Sequence, residues 1–128
     1  MRRSAVLIPL ALGACAAPVP ASEPYYWKLI SIDGVAFAAN ATLALDPSGT
    51  QAFGQGPCNT WTGDVITEPF PVWQIRNVEA SERGCDDLAA EAAFFTAMQQ
   101  MTQEAVGAGH LELLDQGGRA MKFVPVKP

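Results

Sequence analysis

After residue 25 the apolar residues of this chain recur at every second position, in short segments separated by turn chemistry, and this spacing constrains the fold more than any other feature. Trp27 and Leu29 bracket Lys28, Leu43 and Leu45 bracket Ala44, Trp73 and Ile75 bracket Gln74, Leu111 and Leu113 bracket Glu112, and Met121 and Phe123 bracket Lys122. Period two puts one face of each segment on a core and the other in water, which describes half-buried strands. Asp46-Pro47-Ser48-Gly49 carries Pro and Gly where a type I turn favours them, so Thr42 to Leu45 and Thr50 to Phe53 are predicted to form a hairpin. Asp115-Gln116-Gly117-Gly118 makes a second one between Leu111 to Leu114 and Arg119 to Val124. Hairpins imply antiparallel pairing.

One segment departs from this period. Asp86-Asp87 offers an N-cap, and Leu88 to Ala105 runs on without Gly or Pro. At 100° per residue Leu88, Phe94, Phe95, Met98, Met101 and Ala105 fall on one face, with Ala89, Ala93, Thr96, Gln100 and Gln103 opposite. The expectation is one amphipathic helix of about five turns whose Phe and Met stripe is core. Its polar face lacks the Lys and Arg of a membrane-surface helix.

The N-terminus reads as an address. Arg2 and Arg3 precede Ala5 to Ala14, an uncharged run too short for the roughly 20 residues that span a bilayer. Leu12-Gly13-Ala14-Cys15 resembles a bacterial lipobox, so residues 1–14 are expected to be a signal peptide and Cys15 the lipidation site. Ordinary cleavage is the other reading, since Ala14-Cys15-Ala16 satisfies the small-x-small rule. Residues 15–24, with Pro18, Pro20 and Pro24, form a tether, and a folded domain occupies 25–128. Ala16 rather than Asp after the cysteine favours an outer-membrane location on the periplasmic side of a two-membrane envelope.

With Arg2 and Arg3 removed, the 8 Lys and Arg become 6 against 13 Asp and Glu, a net charge of −7. Nucleic acid demands clustered cations and is excluded as a partner. Export also settles the cysteines: with Cys15 acylated, Cys58 and Cys85 are left, and an oxidising compartment favours their bridging. A Cys58 nucleophile with His110, the sole histidine, as its base is the weaker reading. Gly54-Gln55-Gly56 lacks the third glycine of a dinucleotide fingerprint and opens no helix, so it reads as a turn or bulge allowing close backbone approach. No nucleophile elbow, phosphate loop, calcium loop or zinc ligand set is present, and neither cofactor nor metal is expected.

Glu91 is the anomaly, because it falls between Leu88 and Met98 on the apolar side of the helix. Either it is a general acid with a burial-raised pKa, or it is a structural buried acid. In the second case it accepts hydrogen bonds from the amides of the Cys58-Asn59 loop or pairs with Arg83. Among the aromatics, Trp27 and Trp73 are assigned to the core. Trp61 and Phe70, the latter between Pro69 and Pro71, are the candidates for exposed recognition.

Gly54-Gln55-Gly56-Pro57-Cys58-Asn59-Thr60-Trp61-Thr62-Gly63, then Ser81 four residues before Cys85, then Glu91 and Phe95, together resemble the META domain family of HslJ-like envelope proteins. Trp27-Lys28-Leu29 is similar to the family's opening strand, and the resemblance runs from about Tyr26 to Val124. Departures are Ser81 in place of the usual Thr, Gly84 in place of Ala and Pro57 in place of Gly. The resemblance implies an α+β fold, mainly antiparallel β: a curved, partly barrel-like sheet of hairpins with one amphipathic helix packed against it and the two cysteines bridged. It implies no reaction.

The resulting expectation is a monomeric, non-catalytic envelope lipoprotein whose domain binds or stabilises an envelope protein or cell-wall component and reaches the membrane through its lipid anchor. The alternative is a small-ligand carrier using the interior of the curved sheet. An enzyme ranks last.

Overall fold

The computed structural model describes residues 26–107 and 109–126. The expected signal peptide at 1–14, the expected tether at 15–24 with Cys15 as its expected lipidation site, and Tyr25 lie outside the described residues.

Nine strands and one helix follow in the order β1 (Tyr26–Ile32), β2 (Val35–Ala36), β3 (Thr42–Leu45), β4 (Gln51–Gln55), β5 (Thr60–Ile66), β6 (Gln74–Ala80), α1 (Leu88–Gln100), β7 (Gln103–Gly107), β8 (His110–Leu114) and β9 (Ala120–Val126). They make one sheet, ordered β6-β5-β4-β3-β1-β9-β8-β7, with β2 paired to β1 at the side. Every named pairing is antiparallel, and both expected hairpins are present. In the first turn Asp46 Oδ1 accepts the N–H groups of Thr50 and Gln51 at 3.0 Å each. In the second, Asp115 Oδ1 takes those of Gly117 at 2.9 Å and Arg119 at 2.7 Å. An aspartate at the first position of each turn satisfies the amides that the strands cannot.

The sheet is curved rather than closed along its length. Its two ends meet at one corner, where Val72 and Gln103 form an antiparallel bridge. There the Trp73 N–H donates to the Thr102 carbonyl at 3.0 Å and the Glu104 N–H to the Pro71 carbonyl at 2.8 Å. Bulges at Leu29/Ser31 in β1 and at Thr62/Asp64 between β5 and β6 supply local bends.

The inner face is filled by side chains. Leu29, Leu43, Trp61, Leu113, Met121 and Phe123 from the strands and Trp73 just before β6 meet Phe94, Ala97 and Met98 from α1 and Met101 just beyond it, all buried. The Phe and Met stripe is therefore core, and Trp27 packs against it half-buried.

Two sequence expectations for the helix are corrected. It ends at Gln100, and Gln103 to Ala105, assigned above to its last turn, belong to β7 (Gln103–Gly107). Met101 is already extended, at φ −70° and ψ 140°, and the chain from Gln103 to Gly107 finds a complete partner in β8. Sheet pairing there satisfies backbone groups that an isolated helical turn would leave to its own weak propensity. Leu88, placed on the apolar face, is 50% exposed; the buried positions are Glu91, Phe94, Ala97 and Met98. Asp87 does stand at the N-cap, but its carboxylate makes no capping bond.

Candidate functional site

The segment between β4 and β5 is held against the start of α1 by the Cys58–Cys85 disulfide, whose Cα atoms are 5.6 Å apart. Inside this bridge lies the most densely bonded polar cluster of the described residues. Glu91, 6% exposed, points from α1 into the loop. Its Oε2 accepts the main-chain N–H groups of Cys58 and Asn59, each at 2.8 Å, and its Oε1 accepts Asn59 Nδ2 at 2.6 Å. The loop curls around the carboxylate because the Gly56 N–H donates to the Asn59 carbonyl at 2.6 Å.

Asn59 is as fully engaged as the acid. Its Nδ2 also donates to the Arg83 carbonyl at 3.1 Å, while its Oδ1 accepts the Ser81 hydroxyl at 3.0 Å and the Arg83 N–H at 2.6 Å. All the hydrogen-bonding capacity of the side-chain amide is thereby used, as burial at 4% exposure requires. The pattern also fixes which end is nitrogen, since Nδ2 faces two acceptors and Oδ1 two donors.

Two glycines permit the approach. A Cβ on Gly56 would lie 2.8 Å from Glu91 Oε2 and 3.1 Å from the Asn59 carbonyl oxygen. A Cβ on Gly54 would lie 2.0 Å from the Thr42 carbonyl oxygen, which also accepts Trp61 Nε1 at 3.2 Å. The Gly54-Gln55-Gly56 run thus serves close backbone approach.

The electrostatics decide between the readings of Glu91. Burial, the largest single influence, pushes its carboxyl up, but the bonds from the Asn59 side chain and from the Cys58 and Asn59 amides together outweigh it. The group is held below the usual glutamate range, the opposite of what a general acid needs. The ion pair with Arg83 is likewise corrected: Arg83 joins the cluster through its main chain, bonded to Asn59. The Cys58 and His110 reading falls as well, because the Cys58 sulfur is bridged and the His110 ring lies against Gly107 on the neighbouring strand. Among the described residues no group of three or more His, Cys, Asp and Glu is placed to hold a metal.

Of the two recognition aromatics, Trp61 is corrected and Phe70 is exposed as expected. Trp61 is 2% exposed, stacked edge-on against Phe94 at 5.9 Å and Phe95 at 6.4 Å. Phe70 is 68% exposed in the loop before β6. The outer face of the sheet carries an aromatic pair that the sequence reading did not single out. Tyr26 and Phe53 meet edge-to-face at 6.1 Å and, with Thr42, Gly54, Gln55, Thr60, Trp61 and Thr62, line a groove of about 260 Å³. Strand period was the available signal: Phe53 pairs with Thr62 on the face opposite Ala52 and Trp61. Gln55 and Thr60 also border a second depression of about 200 Å³, completed by Cys58, Ser81 and Arg83.

A family model described as META domain matches residues 21–128. No curated protein matches the chain. An NMR structure of a protein from Burkholderia xenovorans is similar with a TM-score of 0.66 and 19% identity, covering 81% of this chain and 83% of that one. At that identity the likeness is one of fold.

Proposed function

The chain belongs to the META domain family, and from that footing we propose that it is a non-catalytic, lipid-anchored envelope protein whose domain binds or stabilises an envelope protein or cell-wall component. The observation that carries this reading is the state of Glu91. A buried acid inside a disulfide-closed loop is the best place in this fold to look for chemistry, and its carboxylate is ionised and occupied by three donors from its own chain. Such a group builds a surface rather than turning over a substrate. What it holds is the Cys58-Asn59 loop, and Cys58 lines a depression that adjoins the outer-face groove, where polar and aromatic side chains remain accessible.

The carrier alternative requires room behind the sheet, and the positions facing that space are filled by Leu29, Leu43, Phe94, Met98 and Phe123. Attachment through Cys15, with the domain on the periplasmic side and monomeric, completes the proposal. Its basis is the arginine-led apolar run ending in Leu12-Gly13-Ala14-Cys15.

Photo-crosslinking in the native envelope tests it. A probe at Thr62 in the groove or at Phe70 should capture a reproducible envelope component, whereas one at exposed Gln99 on α1 should not. Identical patterns from all three positions, or none at all, would overturn the interaction reading.

A further inference from the structure

The groove and the depression beside it are one surface, since Gln55 and Thr60 line both. Their chemistry differs along its length. At one end the walls are the Tyr26 and Phe53 rings and threonine side chains. At the other the lining residues are Arg83, Thr60, Ser81, Gln55 and Cys58, whose side chains include a guanidinium, two hydroxyls and a carboxamide. We infer that this surface takes the free C-terminus of a peptide ending in an aliphatic residue, with the terminal carboxylate on Arg83 and the last side chain in the groove. The inference rests on the interaction reading above and names its ligand class.

Three observations carry it. First, Arg83 is positioned by its backbone and not by its charge: Asn59 clamps its N–H and its carbonyl, and among the described residues the salt bridge found is that of Arg119 with Asp33. Arg83 lines the small depression from this anchored main chain, and a planar guanidinium is suited to bidentate carboxylate binding. The acids adjacent in sequence, Glu82, Asp86 and Asp87, do not line the depression.

Second, the Ser81 hydroxyl gives its hydrogen to Asn59 Oδ1, so toward the depression it presents only lone pairs. An acceptor beside a carboxylate site matches the amide N–H of a peptide's last residue, and a fatty acid has nothing to offer it. Third, about 260 Å³ of aromatic-walled groove is far more than a terminal methyl group fills, which favours a leucine or valine end over the alanine end of a wall stem peptide.

The test titrates the full exported chain, with its disulfide intact, with acetyl-L-Ala-L-Leu, its C-terminal carboxamide, acetyl-L-Ala-Gly and acetyl-D-Ala-D-Ala, following backbone amides by NMR. The acid should saturate and shift Gln55, Thr60, Ser81 and Arg83. The carboxamide should bind roughly tenfold more weakly for loss of a charge-assisted pair. The glycine-ended acid should also be at least about tenfold weaker, at roughly fourfold per buried methylene. Arg83→Gln keeps both main-chain bonds to Asn59, so it should leave the melting temperature unchanged while abolishing the preference for acid over amide. Equal binding of acid and carboxamide, survival of that preference in Arg83→Gln, absence of saturation, or tighter binding of acetyl-D-Ala-D-Ala would each overturn the inference. If peptides fail while the Thr62 crosslink persists, the ligand class is wrong and the interaction reading stands.

Discussion

Replacing Glu91 with alanine removes the acceptor for three donors at once, and the cost follows from where those donors sit. The Asn59 N–H and Nδ2 are enclosed, while the Cys58 N–H is only partly buried and can turn to water. Two buried donors left unpaired cost roughly 1 to 3 kcal/mol each, offset in part by no longer burying a carboxylate. The expected loss is therefore about 2 to 5 kcal/mol, a large share of the roughly 5 to 15 kcal/mol that holds such a domain together. Urea unfolding of the oxidised protein measures it, with Thr96→Ala as the control, since that residue is exposed on the same helix and should change stability by less than about 0.5 kcal/mol. Glu91→Gln should fall between, because one carboxamide oxygen can serve the two loop amides while its NH₂ then opposes Asn59 Nδ2. The pH dependence has a definite sign. The folded-state carboxyl is held below its ordinary value, so the stability it contributes is present above the normal glutamate range and is lost as pH falls through the depressed value. The gap between wild type and Glu91→Ala should accordingly narrow as the pH is taken below the ordinary glutamate range. Equal, small effects of the Glu91 and Thr96 substitutions, or a gap that widens in acid, would refute the reasoning.

The remaining expectations concern backbone approach, the bridge and the anchor. Gly54→Ala should destabilise more than Gly56→Ala, by roughly 1 to 3 kcal/mol or more, because its Cβ meets a main-chain oxygen at 2.0 Å whereas the Gly56 Cβ first meets the end of the Glu91 side chain; the reverse order in urea titrations would show that β4 can shift. Reduction of Cys58–Cys85 should cost roughly 3 to 4 kcal/mol for a loop of about 28 residues and lower the melting temperature, and alkylation of Cys58 without reductant would defeat that expectation. Cys15→Ser should release the protein from membranes and abolish fatty-acid labelling, and persistent labelling would end the lipobox reading.

The strands were legible because their information is local. Period two and an aspartate-led turn specify a hairpin within a dozen residues, and both hairpins formed where those signals stood. The end of the helix was illegible for the complementary reason. Gln103-Glu104-Ala105 is adequate helix sequence, and nothing in it announces that β8 presents an open edge from His110 to Leu114. The same tertiary choice relocates the apolar face: once α1 needs to cover only Trp61 and its neighbours, Phe94 and Met98 suffice and Leu88 turns outward.

The site followed a similar division. A carboxylate on the apolar side of a helix signals buried donors nearby, and the loop closed by two cysteines was the plausible source, so Glu91 and its amide partners were visible before the fold was. Two things depended on the third dimension. One is Asn59 as a junction, because its four bonds reach Glu91, Ser81 and Arg83, three residues from two distant stretches of chain. The other is the identity of the accessible aromatics. Trp61 attracts attention beside the Cys58 loop, yet Trp61, Gly63 and Val65 alternate inward along β5, which leaves Thr60 and Thr62 outside, with Phe53 opposite Thr62. Both facts converge on one physical consequence. The acid that stabilises the loop also orients Asn59, and Asn59 holds Ser81 and Arg83 at the edge of the outer groove, so any perturbation of Glu91 that leaves the domain folded must move the groove's polar rim before it moves the core.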